Sequence, residues 1–193
     1  MARALILFAA LVSAVCNTAA QCGESLPAGV DPATGFRMER YRAPVPDVLP
    51  GGAVVHGDDV ARLAADDAVV LIDVYPPKGA GPDPLDGTWR NSEARENIAG
   101  SIWLPEVGRG YLEPELEAYF RRNLQRIASE NPGEPLLFYC TADCWQAWNA
   151  ARRAILWGYG RVLWYPEGTD GWRDEGRALA PAEPVNFLGS DNE

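Results

Sequence analysis

The sequence predicts an α/β fold: a single domain with a parallel sheet of about five strands and helices on both faces. Short, uniformly apolar runs, which are typical of strands buried on both faces, alternate with longer segments of helical periodicity. Clusters of glycine and proline separate the two kinds of segment. The chain has 193 residues, enough for one domain with a hydrophobic core even after removal of a short leader.

The first predicted elements are a strand, a helix and a second strand. Residues 54–55 are two valines that predict a short strand, and residues 58–66 place apolar side chains at helical spacing. Residues 69–74 form the clearest buried strand of the chain. The stretch over residues 76–87 is rich in proline and glycine, so it is predicted to be an ordered excursion or lid rather than an element.

The second half of the domain continues the alternation. Residues 101–104 predict a strand, and Pro114 suits the first turn of the helix that follows, which has one apolar face. A strand over residues 136–140 comes next, then a helix over about residues 144–157 and a last strand over residues 162–165. Strands that alternate with helices in this way form a parallel sheet.

Two cysteines mark the junction between the 136–140 strand and the next helix. Cys140 ends the strand, and ligands of parallel sheets collect beyond the carboxyl ends of strands. Asp143 is predicted to cap the helix, with Cys144 at the first helical position. The unpaired N–H groups of that helix end would favour a thiolate or a sulfur adduct at Cys140. The alternative interpretation is that both cysteines are buried and inert.

The first residues have the features of a signal peptide. Arg3 precedes an apolar run over residues 4–15, and the small residues that follow suit cleavage after about Ala20. The run is too short to span a bilayer, so we expect a periplasmic protein with no membrane insertion after cleavage. The chain has 27 acidic against 17 basic residues, which argues against nucleic acid and anionic membranes as partners.

Cysteine and histidine usage bears on disulfides and metals. Cleavage removes Cys16 and leaves Cys22, Cys140 and Cys144 in a compartment where thiols oxidise. Cys140 and Cys144 can form a disulfide if their Cα atoms lie within about 7 Å, which the spacing alone leaves open. With His56 as its single histidine and no second cysteine pair, the chain is not expected to bind zinc, and we expect no cofactor.

Several motifs, taken in order, carry a family resemblance. They are Leu-Ile-Asp-Val over residues 71–74, residues 96–105, the strand that ends in Cys140, and residues 160–172. Together they resemble a rhodanese domain over roughly residues 51–180, the usual size of one domain. The resemblance implies that Cys140 is the persulfide cysteine. It also implies a cradling loop that consists of Thr141, Ala142, Asp143 and Trp145.

The leader features, the composition of the arm and this resemblance together divide the chain into segments. They are a signal peptide over residues 1–20, an extended N-terminal arm over residues 21–50, the rhodanese-like domain over residues 51–180 and a C-terminal tail over residues 181–193. The arm is rich in glycine and proline and shows no sustained period.

The leader, the Cys-Trp pair and the Pro-Glu-Gly-Thr-Asp-Gly-Trp run are similar to the periplasmic PQQ-dependent catabolism-associated CXXCW motif family. Three residues rather than two separate the cysteines here. The resemblance implies an accessory role in alcohol oxidation, with a PQQ-dependent dehydrogenase or cytochrome as partner. The loop carries Asp143 and no basic residue, whereas thiosulfate-using members usually carry basic residues there. We therefore expect a neutral or protein-borne sulfur donor rather than thiosulfate, and a small sulfur donor or a protein thiol as a partner.

Three functions from different classes follow from these observations. The first is a sulfurtransferase-type enzyme in which Cys140 carries a sulfane sulfur and Cys144 resolves or protects it. The second is a redox protein that cycles Cys140 and Cys144 between dithiol and disulfide. The third is a non-catalytic accessory module that keeps the fold for binding.

Overall fold

The computed structural model describes residues 26–91 and 93–189 of the chain. The predicted signal peptide and Cys22 lie outside the described residues. In chain order the elements are β1 (Ala53–Val54), α1 (Gly57–Ala65), β2 (Val70–Asp73), β3 (Gly79–Pro82), β4 (Trp89–Asn91), β5 (Arg95–Asn97), β6 (Ile102–Trp103), α2 (Pro114–Glu130), β7 (Leu136–Tyr139), α3 (Trp145–Leu156), β8 (Val162–Tyr165), α4 (Gly168–Asp174) and β9 (Ala180–Ala182). In the described part of the chain, no helix is both long and apolar enough to cross a bilayer.

The main sheet has five parallel strands in the order β1-β8-β7-β2-β6, which confirms the predicted fold class. β7 is the central strand, and Leu137 on it lies opposite Leu71 of β2 and Leu163 of β8. All four residues of β7 are buried, as the uniformly apolar run predicts for a strand covered on both faces. The residue that follows, Cys140, therefore lies at the carboxyl end of the middle of the sheet.

Side chains alternate across the sheet and build two hydrophobic cores, one on each face. Phe138 and Trp164 belong to the larger core, which α2 and α3 cover. Leu137 and Tyr165 belong to the smaller core, which α1 and α4 cover with Val60 and Trp172. Helices therefore lie on both faces, as predicted.

The two long helices form for reasons that are visible in the sequence. α2 begins with Pro114, whose missing N–H costs nothing in a first turn. Its buried face consists of Tyr119, Phe120, Asn123, Leu124 and Ile127. α3 packs closely against the sheet because small residues form much of its buried face, namely Ala147, Ala150, Ala151 and Ala154.

The stretch over residues 76–87 contains an element, so that prediction was wrong. β3 pairs with β4 in an antiparallel ribbon. A Cβ at Gly79 would overlap the carbonyl oxygen of Arg90, so only glycine allows the two strands to approach this closely. A strand of sequence Gly-Ala-Gly-Pro lacks the β-branched and aromatic residues by which strands are recognised.

Candidate functional site

Cys140 and Cys144 lie together at the carboxyl end of β7. The structure joins their sulfurs in a disulfide, and their Cα atoms are 6.2 Å apart, within the usual range for such a bridge. Cys140 is 1% and Cys144 3% exposed, so a reagent reaches neither sulfur without movement of the surrounding chain. The candidate site thus contains both predicted cysteines, joined to each other in their oxidised state.

The helix beyond the loop begins one residue later than predicted. Cys144, with extended φ and ψ of −105° and 100°, occupies the N-cap position, and its side chain makes no capping hydrogen bond. Asp143 is not the cap. Its φ of 52° lies in the left-handed region, which aspartate tolerates better than most residues. The turn at Asp143 lies in the short loop that the disulfide closes between Cys140 and Cys144, which are four residues apart in the sequence.

The segment at the start of α4 supports the loop from one side. Thr169 donates its backbone N–H to the carbonyl oxygen of Cys140 at 3.0 Å, and Ala142 donates its N–H to Oδ2 of Asp170 at 3.1 Å. Gly168 has a φ of 53°, and a Cβ there would lie 2.5 Å from the Cys140 carbonyl oxygen. Only glycine therefore fits at residue 168.

A buried ion pair lies beneath the loop. Nε of Arg95 donates to Oδ2 of Asp73 at 2.9 Å, and Nη2 donates to Oδ1 at 3.2 Å. Burial raises the pKa of Asp73, and the Arg95 charge opposes that rise. Arg95 also lies over the ring of Tyr75 at 4.2 Å and reaches the Cys140 carbonyl oxygen at 3.5 Å. The pair ties the ends of β2 and β7 together at the site.

The N-terminal arm covers the other side of the loop. Arg42 and Cys144 face each other in an antiparallel bridge. Ala43 donates its N–H to the carbonyl oxygen of Asp143 at 3.1 Å, and Trp145 donates its N–H to that of Tyr41 at 2.9 Å. The backbone at the start of α3 is therefore paired with the arm.

Side chains of α3 hold the arm in this position. The Nε1 groups of Trp145 and Trp148 donate to the carbonyl oxygens of Pro44 and Val48 at 3.1 and 2.9 Å. The fully buried Asn149 accepts from the backbone N–H of Arg37 at 2.9 Å and donates back to its carbonyl oxygen at 2.8 Å. Such an arrangement satisfies buried polar groups on both partners. The sequence predicted the arm but not its contacts with the site.

The remaining loop residue faces the arm through its side chain. Oγ1 of Thr141 lies 3.7 Å from Sγ of Cys140 and accepts a hydrogen bond from the guanidinium of Arg42. Arg42, Arg95, Thr169 and Asp170 were not among the predicted site residues. Thr169 and Asp170 could have been predicted from the Gly-Thr-Asp run that follows β8. Nothing in the sequence connects Arg42 to the loop.

The described ranges contain no group of three or more histidine, cysteine, aspartate or glutamate side chains that could hold an ion. His56 lies at the start of α1, where its Nδ1 is 2.6 Å from Oε1 of Glu167.

Comparisons with known proteins identify one matching family. The family model described as "Rhodanese-like domain" matches residues 57–175. No curated protein matches the chain.

Several solved structures are similar at low identity. The polysulfide-sulfur transferase homodimer from Wolinella succinogenes is 15% identical over 68% of this chain and 80% of that chain, with a TM-score of 0.43. A protein of unknown function from Rhodopseudomonas palustris, named as a possible tyrosine phosphatase, is 20% identical over 68% and 86%, with a TM-score of 0.41. Wild-type EanB is 18% identical over 70% of this chain and 29% of that chain, with a TM-score of 0.44. These similarities are low, and only the family match bears on function.

Proposed function

Because the chain belongs to the Rhodanese-like domain family, we propose that it is a sulfurtransferase-type protein in which Cys140 carries a sulfane sulfur as a persulfide. One observation carries the proposal: Cys140 lies at the carboxyl end of the central strand, in a loop that the start of α4 and the arm hold on two sides. This is where open parallel sheets place their chemistry.

The proposed reaction begins from the reduced cysteine pair. The thiolate of Cys140 attacks the sulfane sulfur of a donor, a new S–S bond forms, and the rest of the donor leaves with the electron pair of the broken bond. Transfer to an acceptor reverses the roles: an acceptor thiolate attacks the terminal sulfur, and Cys140 leaves as the thiolate. No net oxidation accompanies either step.

Cys144 provides a second way to discharge the persulfide. Its thiol attacks Sγ of Cys140, which forms the Cys140–Cys144 disulfide, and the terminal sulfur leaves with the bonding electron pair and the thiol proton as hydrosulfide. The 6.2 Å between the two Cα atoms allows this bridge without rearrangement of the strand. An external dithiol then reduces the disulfide and restores the starting state.

The disulfide also favours a second candidate function, a redox protein that passes electrons between this cysteine pair and a partner. The two candidates differ in what they require. Sulfur transfer requires Cys140 and tolerates loss of Cys144, whereas redox cycling requires both cysteines.

The cellular setting is a further part of the proposal. We infer a periplasmic protein, cleaved after about Ala20 and not inserted in the membrane, that assists PQQ-dependent alcohol oxidation through a dehydrogenase or cytochrome. Support comes from the leader and from the Cys-Trp and Gly-Thr-Asp-Gly-Trp motifs in the sequence. We also propose the boundaries 1–20, 21–50, 51–180 and 181–193 for the segments. Cell fractionation with N-terminal sequencing tests the location and the cleavage point.

Single replacements of the two cysteines separate the candidate functions. We expect reduced wild-type protein to release hydrosulfide from a sulfane donor and to finish with the Cys140–Cys144 disulfide. Cys144→Ser should instead accumulate a stable persulfide, because the resolving thiol is missing. Cys140→Ser should do neither. The measurements are hydrosulfide release and the intact mass of each protein before and after treatment with a thiol reductant.

The same two serine variants can also give results that contradict the proposed function. Sulfur uptake by Cys140→Ser would remove Cys140 from the mechanism. Loss of sulfur uptake in Cys144→Ser, together with retained dithiol oxidation in wild type, would favour the redox function over sulfur transfer.

A further inference from the structure

The middle of the N-terminal arm lies directly on the cysteine loop. Residues 42–44, here called the strap, begin at the antiparallel bridge between the arm and the loop. The N–H of Ala43 donates to the carbonyl oxygen of Asp143 at 3.1 Å, and the carbonyl oxygen of Pro44 accepts from Nε1 of Trp145 at 3.1 Å. Both partners of the strap are therefore the residues that flank the second cysteine in the sequence.

The arm is also tied to α3 on each side of the strap. On the N-terminal side, the main-chain N–H and carbonyl groups of Arg37 bond to the side chain of Asn149 at 2.9 and 2.8 Å. On the C-terminal side, Nε1 of Trp148 donates to the carbonyl oxygen of Val48 at 2.9 Å. Trp148 and Asn149 lie about one turn beyond the start of α3, outside the cysteine loop. The strap can therefore leave the loop while the arm stays attached at both ends.

The loop conformation that receives the strap contains a strained residue. Asp143 has a φ of 52°, and the left-handed region costs an L residue free energy even though aspartate tolerates it better than most. Such a conformation persists where the surrounding structure enforces it, and here the disulfide between Cys140 and Cys144 closes the chain around the turn. The carbonyl oxygen that accepts from Ala43 belongs to Asp143 itself, so its direction depends on the strained conformation.

We propose that the strap is a redox-responsive cover: the disulfide holds the loop in the conformation that binds residues 42–44, and reduction releases them. In the reduced protein the covalent closure of the loop is absent. Asp143 then leaves the left-handed region, and its carbonyl group turns away from the N–H of Ala43. The oxidised protein is closed over the cysteines and the reduced protein is open. This holds whether the cysteine pair serves sulfur transfer or electron transfer.

The cover gives the cysteines a different accessibility at each stage of a reaction cycle. In the oxidised state, Cys140 and Cys144 are 1% and 3% exposed. An external dithiol reduces the bridge during a rare local opening of the strap: the S–S bond of the protein breaks, the dithiol becomes a disulfide, and its two electrons and two protons pass to the cysteines. The strap then stays open, so the next reactant reaches Cys140 without a further opening. Formation of the disulfide closes the site again.

Hydrogen exchange followed by NMR tests the proposal on the oxidised protein and on the same protein reduced with a phosphine. The backbone amide of Ala43 and the indole N–H of Trp145 report on the strap. The backbone amide of Arg37 and the indole N–H of Trp148 are matched reporters of the two ties. We expect reduction to speed exchange at the strap reporters roughly tenfold, the population change that relief of one strained residue produces. Exchange at the tie reporters should stay within about twofold.

Three variants identify the cause of the release. Cys140→Ser cannot form the disulfide, so it should show fast exchange at Ala43 without any reductant. Asp143→Gly places at the turn a residue that adopts a positive φ without strain, so reduction should change the exchange of Ala43 less than in wild type. Asp143→Asn keeps a residue that tolerates the positive φ and removes the charge, so it should respond to reduction as wild type does.

The outcomes decide for or against the cover independently of sulfur uptake. Faster exchange that is confined to the strap reporters and is diminished in Asp143→Gly supports the proposal. Equal exchange in the two redox states overturns it. An equal rise at Arg37 and Trp148 also overturns it, because the whole arm then leaves α3. A full wild-type response in Asp143→Gly, or a lost response in Asp143→Asn, contradicts the assignment of the release to the strained turn and overturns the proposal as stated.

Discussion

Replacement of Asp73 by alanine should destabilise the protein by about 3–5 kcal/mol, the usual cost of removing one partner of a buried ion pair. The Asp73 side chain is fully buried, and that of Arg95 is 9% exposed. Alanine would leave the guanidinium charge buried without its two carboxylate contacts. It would also remove the acceptor for the backbone N–H of Tyr75, which Oδ1 of Asp73 accepts at 3.0 Å. The measurement is the free energy of unfolding from urea titration.

An exposed ion pair in the same protein provides the control. Glu130 pairs with Arg126 one helical turn away, with both side chains about half exposed. Glu130→Ala should cost about 0.5 kcal/mol or less, because water solvates the arginine that remains. If Asp73→Ala costs no more than Glu130→Ala, the pair beneath the loop does not hold the ends of β2 and β7 together.

Replacement of Trp148 by alanine should also cost about 3–5 kcal/mol, the range for truncation of a large buried aromatic side chain. Trp148 is fully buried, packs edge to face on Trp145 at 5.6 Å and donates its Nε1–H to the carbonyl oxygen of Val48 at 2.9 Å. Its loss removes both packing and an anchor of the arm. We therefore expect faster reduction of the disulfide by a neutral thiol, in addition to a lower free energy of unfolding.

Trp148→Phe separates the two contributions. It retains most of the packing and removes the hydrogen bond, so it should cost about 1–2 kcal/mol, close to the usual value for one hydrogen bond. A Trp148→Ala protein that is destabilised but whose disulfide is reduced at the wild-type rate would show that the arm does not control access to the cysteines.

The three central strands of the main sheet, β2, β7 and β8, were predictable because they are almost completely buried. Such strands are apolar along most of their length, and the runs over residues 69–74, 136–140 and 162–165 stand out in the sequence without any tertiary information. Pro114 marked the start of α2 for an equally local reason. The position of Cys140 was predictable for the same reason. It directly follows the 136–139 run, so it had to lie at the carboxyl end of that strand.

Two of the strands that the sequence did not reveal, β5 and β9, depend on partners far along the chain. β5 pairs with β9, and Arg95 on β5 reaches both Asp73 and the Cys140 carbonyl oxygen. The N-cap of α3 is Cys144 rather than the predicted Asp143. Cys144 takes part both in the disulfide and in the pairing with the arm. The pairing of β5 with β9 and that of the arm with Cys144 are long-range contacts, which local helix and strand propensities do not encode.

The arm shows this limit most clearly. Residues 26–50 have no period and read as an irregular extension, yet their carbonyl oxygens accept hydrogen bonds from the indoles of Trp145 and Trp148. Every residue has a backbone carbonyl oxygen, so the residue types of the arm do not indicate which carbonyl groups accept these hydrogen bonds. Arg42 was missed for the same reason, because its proximity to Thr141 exists only once the arm has docked.

The central claim is that Cys140 carries a sulfane sulfur, and peptide mapping tests it most directly. Cys144→Ser protein, reduced and then incubated with a sulfane donor, is alkylated and digested without further reductant. We predict a gain of one sulfur atom on the peptide that contains Cys140, removable by a thiol, with Cys22 alkylated but otherwise unchanged. Absence of the added sulfur from Cys140, or its presence on Cys22 alone, would contradict the account.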